Sequence, residues 1–163
     1  MDRLALLLQL LVLIGMVNGA PILLRRALGE RLRHPIDGGY LWRDGRPLLG
    51  PRKTLVGFVG AVLTGTLVGW ALGLGWQLGL LMGGVSMLGD LISSFAKRRL
   101  KLPPSGQAPG LDQIPESLFP LLAVRDLLDL GWSGIVLVVL AFVLLDSLIS
   151  PLLYRLRVRN RPF

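Results

Sequence analysis

Apolar stretches long enough to cross a lipid bilayer dominate this sequence and restrict the folds open to it. A helix needs about 20 apolar residues to span the hydrocarbon core. The 163 residues are 52% hydrophobic with a mean hydropathy of +0.62, which is too apolar for a soluble domain of this size. We therefore expect an all-α membrane protein with a single integral domain over residues 1–163. Strongly apolar spans are predicted at 4–24, 54–74, 78–96 and 132–153.

A fifth segment, 116–131, is weaker because Pro120 and three charged residues interrupt it. The distribution of basic residues favours counting it as a crossing. Sixteen of the 18 Lys and Arg residues lie in the loops 25–53 and 97–115 and in the tail after the last span. Basic loops stay in the cytoplasm, so about five transmembrane helices put the N-terminus outside and the C-terminus inside. The prediction is an integral inner (cytoplasmic) membrane protein whose active site faces the cytoplasm.

The first span has an alternative interpretation as a secretory signal peptide, with Val17–Ala20 near a cleavage site. Two features disfavour it. Asp2 and Arg3 give no net positive charge ahead of the apolar run, and Pro21 would directly follow the cut.

Small residues recur every four positions around the turn between the second and third spans. This spacing lets membrane helices approach closely, and it predicts a tight hairpin of these two spans. The glycines concerned are Gly65, Gly69 and Gly73, followed by Gly75, Gly79 and Gly83.

The third span carries a polar stripe. Ser86, Asp90, Ser94, Lys97 and Lys101 recur at steps of three or four and share one helical face. Asp90 lies about 10 Å inside the cytoplasmic end of the helix. A charge at that depth costs about 2.5–3.5 kcal/mol, so it needs a partner or a water-filled cavity. Either a structural ion pair with a neighbouring Arg or Lys, or a metal or phosphate site, meets this need.

Residue counts limit the metal chemistry. The chain has no Cys and one His, His34, which leaves oxygen ligands and favours Mg²⁺. Asp90 and Asp112, separated by a Pro/Gly loop, can converge on one such ion. Lys97 and Arg98 would then neutralise substrate phosphates, although a basic cluster alone more often sets membrane topology.

The first loop offers a second anion site. Lys53 stands just before the second span, where free backbone N–H groups favour an anion, and Thr54 can cap the helix. Asp37, before two glycines, is either part of a site or a solvated turn acid. The net charge of +8 sits in blocks that suit anionic head groups, so no nucleic-acid partner is expected. A Ser-His-Asp hydrolase is excluded because GxSxG is absent.

Taken together, these motifs resemble those of CTP-dependent lipid cytidylyltransferases, and in particular the small five-helix CDP-archaeol synthase family. The likeness covers about residues 18–116. It is carried by Asn18–Pro21, Pro35–Gly39, Gly45–Thr54, Gly89-Asp90-Leu91, Ser94–Arg99 and Leu111-Asp112-Gln113.

The resemblance implies a reaction in which CTP and a membrane lipid phosphate give a CDP-activated lipid and pyrophosphate, with Mg²⁺ as cofactor. It implies catalytic roles for Asp90, Lys97 and Asp112. It implies nucleotide or cofactor binding by Asp37, Lys53, Thr54, Ser94, Arg98 and Gln113. It implies metal binding by Asp90 and Asp112, with Glu116 as a further candidate ligand.

Two departures from the family pattern leave alternatives open. Pro115 stands where the family usually has a second acid, so either Glu116 substitutes for it or the site uses one fewer carboxylate. Tyr154 stands in the region where the family often has a His. A non-catalytic scaffold or lipid-binding protein of the same fold is the second hypothesis, and a transporter built around Asp90 is the third. The lipid linkage, ether or ester, and the oligomeric state stay open.

Overall fold

The computed structural model describes residues 2–28, 34–102 and 110–155, and its regular elements are five α-helices. They are α1 (Arg3–Leu28), α2 (Leu55–Ala71), α3 (Trp76–Arg99), α4 (Gln113–Ala123) and α5 (Trp132–Arg155). The prediction of an all-α fold with five helices is confirmed. Most of the Pro/Gly loop, 103–109, and the tail after residue 155 lie outside the described residues.

Helix length separates the candidate membrane spans. α1, α3 and residues Trp132–Ile149 of α5 are long and apolar enough to cross a membrane, whereas α2 is a shorter apolar helix of 17 residues. This supports an integral membrane protein, and the five crossings and the orientation of the termini stay predictions.

The fourth predicted span differs most from the structure. Instead of a helix over 116–131, α4 has 11 residues and ends at Ala123. Turns follow, and Asp129 adopts a positive φ of 48°. Pro120 has no backbone N–H to donate a helical hydrogen bond. The charged residues that follow it are accommodated better in turns than in an apolar helix. The helix is therefore shorter than the sequence predicts.

The segment 113–131 nevertheless runs from one end of the bundle to the other. Its start lies near the end of α3, where Asp112 pairs with Lys97. Its last residues lead into α5. Near the start of α5, a methyl group on Gly134 would lie 3.2 Å from Leu7, which is near the start of α1. We call the end that carries Lys53 and Lys97 the loop end, and the end that carries Leu7 and Gly134 the far end.

The α2–α3 hairpin packs backbone against backbone, as predicted from its glycines. A Cβ on Gly79 would lie 2.1 Å from the carbonyl oxygen of Gly65, and one on Gly65 would lie 2.6 Å from that of Gly79. Gly73 and Gly75 turn the chain with φ of 74° and 94°. Only glycine adopts such angles freely.

An apolar core links the remaining helices to this hairpin. α1 contacts α2, α3 and α5, and α3 packs against both α2 and α4. The buried residues include Leu10, Leu13, Ile14, Val17, Ala61, Met82, Leu121, Val124, Ile135, Val138 and Phe142. The core therefore holds the N-terminus of α2, the C-terminal half of α3 and the start of α4 at one end of the bundle.

Candidate functional site

The buried carboxylate of α3 meets a lysine from the start of α2. Thr54 caps α2 in an extended conformation, and its Oγ1 accepts a hydrogen bond of 3.2 Å from the backbone N–H of Gly57. This cap directs the preceding residue, Lys53, toward α3, where Lys53 Nζ forms an ion pair with Asp90 Oδ1. The Asp90 side chain is only 17% exposed. The partner that its depth requires is therefore Lys53.

The polar stripe of α3 faces the interior only as far as Lys97. Ser86 and Ser94 are buried, at 1% and 2% exposure, and Asp90 lies between them. Lys101 lies beyond the end of α3, is exposed and has a φ of 64°. The sequence prediction placed Lys101 on this helical face, and that part is wrong because the helix ends at Arg99.

Glu116, the candidate substitute for the acid missing at Pro115, lies beside Asp90. A Cβ on Gly89 would lie 2.4 Å from the carbonyl oxygen of Pro115 and 3.1 Å from the backbone nitrogen of Glu116. Only a glycine lets α3 and α4 approach this closely. The carboxyl groups of Asp90 and Glu116 lie close enough to interact electrostatically as a result.

A hydrogen-bonded chain through three helices fixes the backbone of Glu116. Ser86 Oγ donates to the carbonyl oxygen of Glu116 at 2.8 Å. Asn18 Nδ2 on α1 donates to Ser86 Oγ at 3.2 Å and to the carbonyl oxygen of Ile14 at 3.0 Å. Buried polar groups need such partners. The sequence prediction included Asn18 and Ser86 but gave neither this role.

Asp112 is held by a second ion pair. Lys97 Nζ lies 2.6 Å from Asp112 Oδ1, and the two side chains are 12% and 19% exposed. Asp112 precedes α4 but does not cap it with its side chain. Two lysine–carboxylate pairs, Lys53–Asp90 and Lys97–Asp112, therefore lie at the loop end with Glu116 beside the first.

The predicted metal set of three carboxylates is only partly assembled. Among the described residues no three His, Cys, Asp or Glu side chains form a group that could hold a metal. Asp90 and Glu116 do meet, and Mg²⁺ typically takes one or two carboxylates and completes its shell with water and substrate phosphates. The donors present therefore suit one such ion at Asp90 and Glu116, and Asp112 does not join them in a group of three ligands.

Gln113 and Arg98 are buried among protein groups. Gln113 is 5% exposed, its Oε1 accepts from the N–H of Gly110 at 2.9 Å, and its Nε2 donates to Asp146 Oδ2 on α5 at 3.0 Å. Arg98 is also 5% exposed, and its Nη1 donates to the carbonyl oxygen of Leu102 at 2.8 Å. These hydrogen bonds attach Gln113 and Arg98 to the two ends of the second loop, at Gly110 and Leu102.

Sequence reasoning did not include Asp146 in the site. It is a partly buried carboxylate near the end of an apolar helix. Any carboxylate in a membrane helix carries the free-energy cost that pointed to Asp90, and Asp146 carries it as well.

Asp37 organises the first loop. Its Oδ2 accepts from the N–H groups of Leu49 and Gly50 at 2.8 and 3.1 Å, and its Oδ1 accepts from Gly39 at 3.0 Å. Partial burial raises the pKa of Asp37, and these backbone donors outweigh burial and lower it below 3.8. The loop in turn contacts α3, because Gly50 lies against the Arg98 side chain. Asp37 therefore holds the loop beside the two ion pairs.

Comparisons with known proteins show the family of this chain. A family model described as CarS-like, CDP-archaeol synthase, matches residues 71–163. The chain is 44% identical over 108 residues to the CDP-archaeol synthase of Thermococcus kodakarensis, covering 60% of each chain. It is 36% identical over 152 residues to that of Pyrobaculum islandicum, covering 90% of each chain. The chain thus spans three fifths of the length of the first relative and nine tenths of the second.

A solved structure has the same fold. It is that of an intramembrane enzyme for archaeal membrane lipid biosynthesis, with a TM-score of 0.69 and 30% sequence identity. The match covers 88% of this chain and 91% of the solved chain.

Proposed function

Because the chain belongs to the CDP-archaeol synthase family, we propose that it is a CTP:lipid-phosphate cytidylyltransferase. The product is a CDP-activated lipid, CDP-archaeol-like or CDP-diacylglycerol-like, and the second product is pyrophosphate. One observation carries the proposal: Lys53, Asp90 and Glu116, contributed by the loop before α2 and by α3 and α4, meet at the loop end. The motivation for a non-catalytic scaffold was a missing acid at Pro115, and the position of Glu116 beside Asp90 supports the catalytic alternative.

The two lysines are the natural partners of the substrate phosphates. Lys53 and Lys97 each hold a carboxylate in this structure. A triphosphate carries more negative charge than one carboxylate and attracts both ammonium groups. When Lys53 and Lys97 turn to phosphate oxygens, Asp90 and Asp112 lose their counter-ions and become available to other cations.

Mg²⁺ fits this exchange. Asp90 and Glu116 would hold it, and it would supply positive charge that neutralises the triphosphate and the departing pyrophosphate. Asp112, kept near the site by Lys97, stays close enough to contribute to the charge balance.

The reaction is an in-line displacement at the α-phosphorus of CTP. An oxygen of the lipid phosphate attacks this phosphorus and forms a new P–O bond. The bond from the α-phosphorus to the oxygen that bridges the α- and β-phosphates breaks, and its electron pair leaves with pyrophosphate. The lipid phosphate is already anionic at neutral pH, so no strong general base is needed. The protein's task is positioning and charge stabilisation by Lys53 and Lys97.

The position of the site suits a lipid substrate. Asp90 lies nine residues, about 14 Å, before the end of α3, which is itself a candidate membrane span, so a lipid substrate can reach the site from the bilayer. The excess of Lys and Arg at the loop end supports placing this end in the cytoplasm, where CTP is made.

The test is incorporation of labelled CTP into lipid by purified protein with Mg²⁺. A diether lipid phosphate and a diacyl phosphatidic acid are supplied in parallel reactions. We expect a CDP-lipid, and Asp90→Asn should lower its rate by about 100-fold or more. Asp129→Asn is the matched control, because Asp129 is exposed at the far end and Asn tolerates its positive φ. Absence of product with both lipids would refute the proposal, and full activity in Asp90→Asn would refute the site.

A further inference from the structure

The second carboxylate in an apolar helix, Asp146 on α5, is unexplained by the reaction proposed above. α5 is the most apolar of the candidate spans, and a carboxylate within it costs free energy unless it is bonded. Asp146 Oδ2 accepts a hydrogen bond from Gln113 Nε2 at 3.0 Å, and Gln113 is almost fully buried. This bond joins the last helix of the bundle to the first residue of α4.

The orientation of the Gln113 amide follows from its other partner. The N–H of Gly110 can only donate, so the atom 2.9 Å from it must be the carbonyl oxygen of Gln113. The NH₂ group then faces α5, where only an acceptor can satisfy it. The carboxylate of Asp146 is that acceptor. Gln113 thus bridges Gly110, at the end of the second loop, to α5.

The residue next to Gln113 is Asp112, whose carboxylate pairs with Lys97. Asp112 does not cap α4 with its own side chain, so helix capping does not hold it in place. Asp112 lies between Gly110 and Gln113, which are joined by the Gln113 amide. The anchoring of Gln113 therefore determines where Asp112 stands relative to Lys97.

We propose that Asp146 is a positioning residue for the cytidylyltransferase site, which acts by accepting the Gln113 amide and thereby holding Asp112 against Lys97. The inference rests on the proposed function. It assigns a part of the site to α5, which contributes no residue to the two ion pairs. The carboxylate acts as a hydrogen-bond acceptor for a protein group and makes no contact with substrate.

The first test compares two substitutions with opposite effects on the hydrogen bond. Asp146→Asn keeps an acceptor oxygen and should stay within about threefold of the unaltered protein. Asp146→Leu removes the acceptor and should lower kcat/KM by about 10- to 100-fold, the usual range for residues that orient a site's direct ligands. Ser147→Ala is the matched control, since Ser147 is exposed and its Oγ, within the part of the chain that the structure describes, bonds only to the Val143 carbonyl oxygen of its own helix.

The loss of kcat/KM in Asp146→Leu should concern CTP and not the lipid phosphate. Lys97 is assigned to CTP phosphates, so Asp146→Leu should raise the KM for CTP and leave the KM for the lipid phosphate within about twofold. A merely destabilised bundle would change both. Hydrogen exchange adds a readout independent of activity, since the Gly110 amide should exchange faster in Asp146→Leu and at the original rate in Asp146→Asn.

The sharpest test reverses donor and acceptor. Gln113→Glu places two carboxylates against each other and should reduce activity. Adding Asp146→Asn restores a donor–acceptor pair, because the introduced carboxylate on α4 accepts from both the Gly110 N–H and the new amide on α5. The double variant should recover activity to within about fivefold of the unaltered protein, with the total charge unchanged.

The outcomes separate this inference from the proposed function. If the unaltered protein makes no CDP-lipid, the function itself fails. If it makes product and Asp146→Leu is unaffected, or Asp146→Asn is as inactive as Asp146→Leu, the positioning role is wrong. Failure of the double variant to recover would likewise overturn it, since the hydrogen bond would then not be what Asp146 provides.

Discussion

α3 makes two close helix–helix contacts through glycines, one with α2 and one with α4, and the two contacts have different consequences. Against α2, the atoms nearest to a Cβ on Gly79 are backbone atoms of Gly65 and Gly69. Against α4, Gly89 meets the backbone of Pro115. The next residue of each helix, Asp90 on α3 and Glu116 on α4, carries a carboxyl group, and these two groups lie close together. A glycine brings two backbones together in both places. Only at the second contact does the close approach bring charged groups together.

The difference shows how a rigid scaffold and a site share one helix. The α2–α3 contact is closed by a two-glycine turn and can tolerate no added atom without moving backbone. The α3–α4 contact sits at the end of a short helix that is additionally held by Ser86, Lys97 and Asp146. We therefore expect changes at the first contact to affect folding, and changes at the second to affect activity more than folding.

The largest effect is expected from breaking the first contact. Gly79→Ala places a methyl group 2.1 Å from the Gly65 carbonyl oxygen, so the helices must separate. The cost should be about 3 kcal/mol, at the upper end for overpacked sites. Thermal unfolding in detergent measures it. Gly84→Ala on the same helix is the control, because a Cβ there meets nothing within 4 Å. Equal stability of the two variants would contradict the comparison.

The second contact is broken by Gly89→Ala. A methyl group there would lie 2.4 Å from the Pro115 carbonyl oxygen, so α4 must shift and carry Glu116 away from Asp90. We expect CDP-lipid formation to fall by about 100-fold, as for other displaced catalytic groups, with a smaller loss of thermal stability than in Gly79→Ala. A variant that unfolds as easily as Gly79→Ala would show that the second contact is structural too.

Sequence patterns predicted each helical face but not its neighbours. The stripe of Ser86, Asp90, Ser94 and Lys97 follows from a period of 3.6 residues, and the glycine spacing predicts a close hairpin. The pattern also required a partner for Asp90. It did not say which basic residue, because a period describes one helix and the partner, Lys53, precedes another.

The parts that the sequence left unpredicted depend on tertiary contacts. α4 ends early, at Ala123, because turns accommodate the charged residues that follow. The sequence did not predict this end because hydropathy is averaged over a window that includes both the helix and the turns. The bonds of the Gln113 amide to Gly110 and Asp146 were not predicted, because only the folded bundle brings these residues together, and its role toward nucleotide stays a prediction. The metal-binding and catalytic roles of Asp90, Asp112 and Glu116 stay predictions.

A smaller effect should distinguish bonds between helices from bonds within one. Ser86 Oγ links α3 to the Glu116 carbonyl oxygen, whereas Ser93 Oγ donates to the Asp90 carbonyl of its own helix at 3.0 Å. Both are 1% exposed. Ser86→Ala should cost about 1 kcal/mol of stability and lower activity several-fold, while Ser93→Ala should leave activity unchanged. Activity and unfolding of the two variants are measured side by side, and matching activities would remove Ser86 from the site.

The smallest effect tests whether the site also depends on the first loop. At neutral pH the Asp37 carboxylate accepts three backbone N–H groups, and Gly50, one of those donors, lies against Arg98 of α3. Asp37→Asn keeps one acceptor oxygen and loses the charge, so we expect a loss of about 1 kcal/mol and at most a twofold change in activity. Asp126→Asn, exposed at the far end, is the control.

The pH dependence of this variant has a definite sign. Because folding lowers the pKa of Asp37 below 3.8, its contribution is present above that value and is lost as the pH falls through the lower folded pKa. The stability difference between the unaltered protein and Asp37→Asn should therefore be full at pH 7 and shrink in strong acid. Urea unfolding in detergent at a series of pH values measures it. A difference that grows as the pH falls would mean that Asp37 is not bonded as a carboxylate. The attachment of the first loop to α3 would then rest on other groups, such as Arg99, whose Nη2 donates to the Pro47 carbonyl oxygen at 2.8 Å.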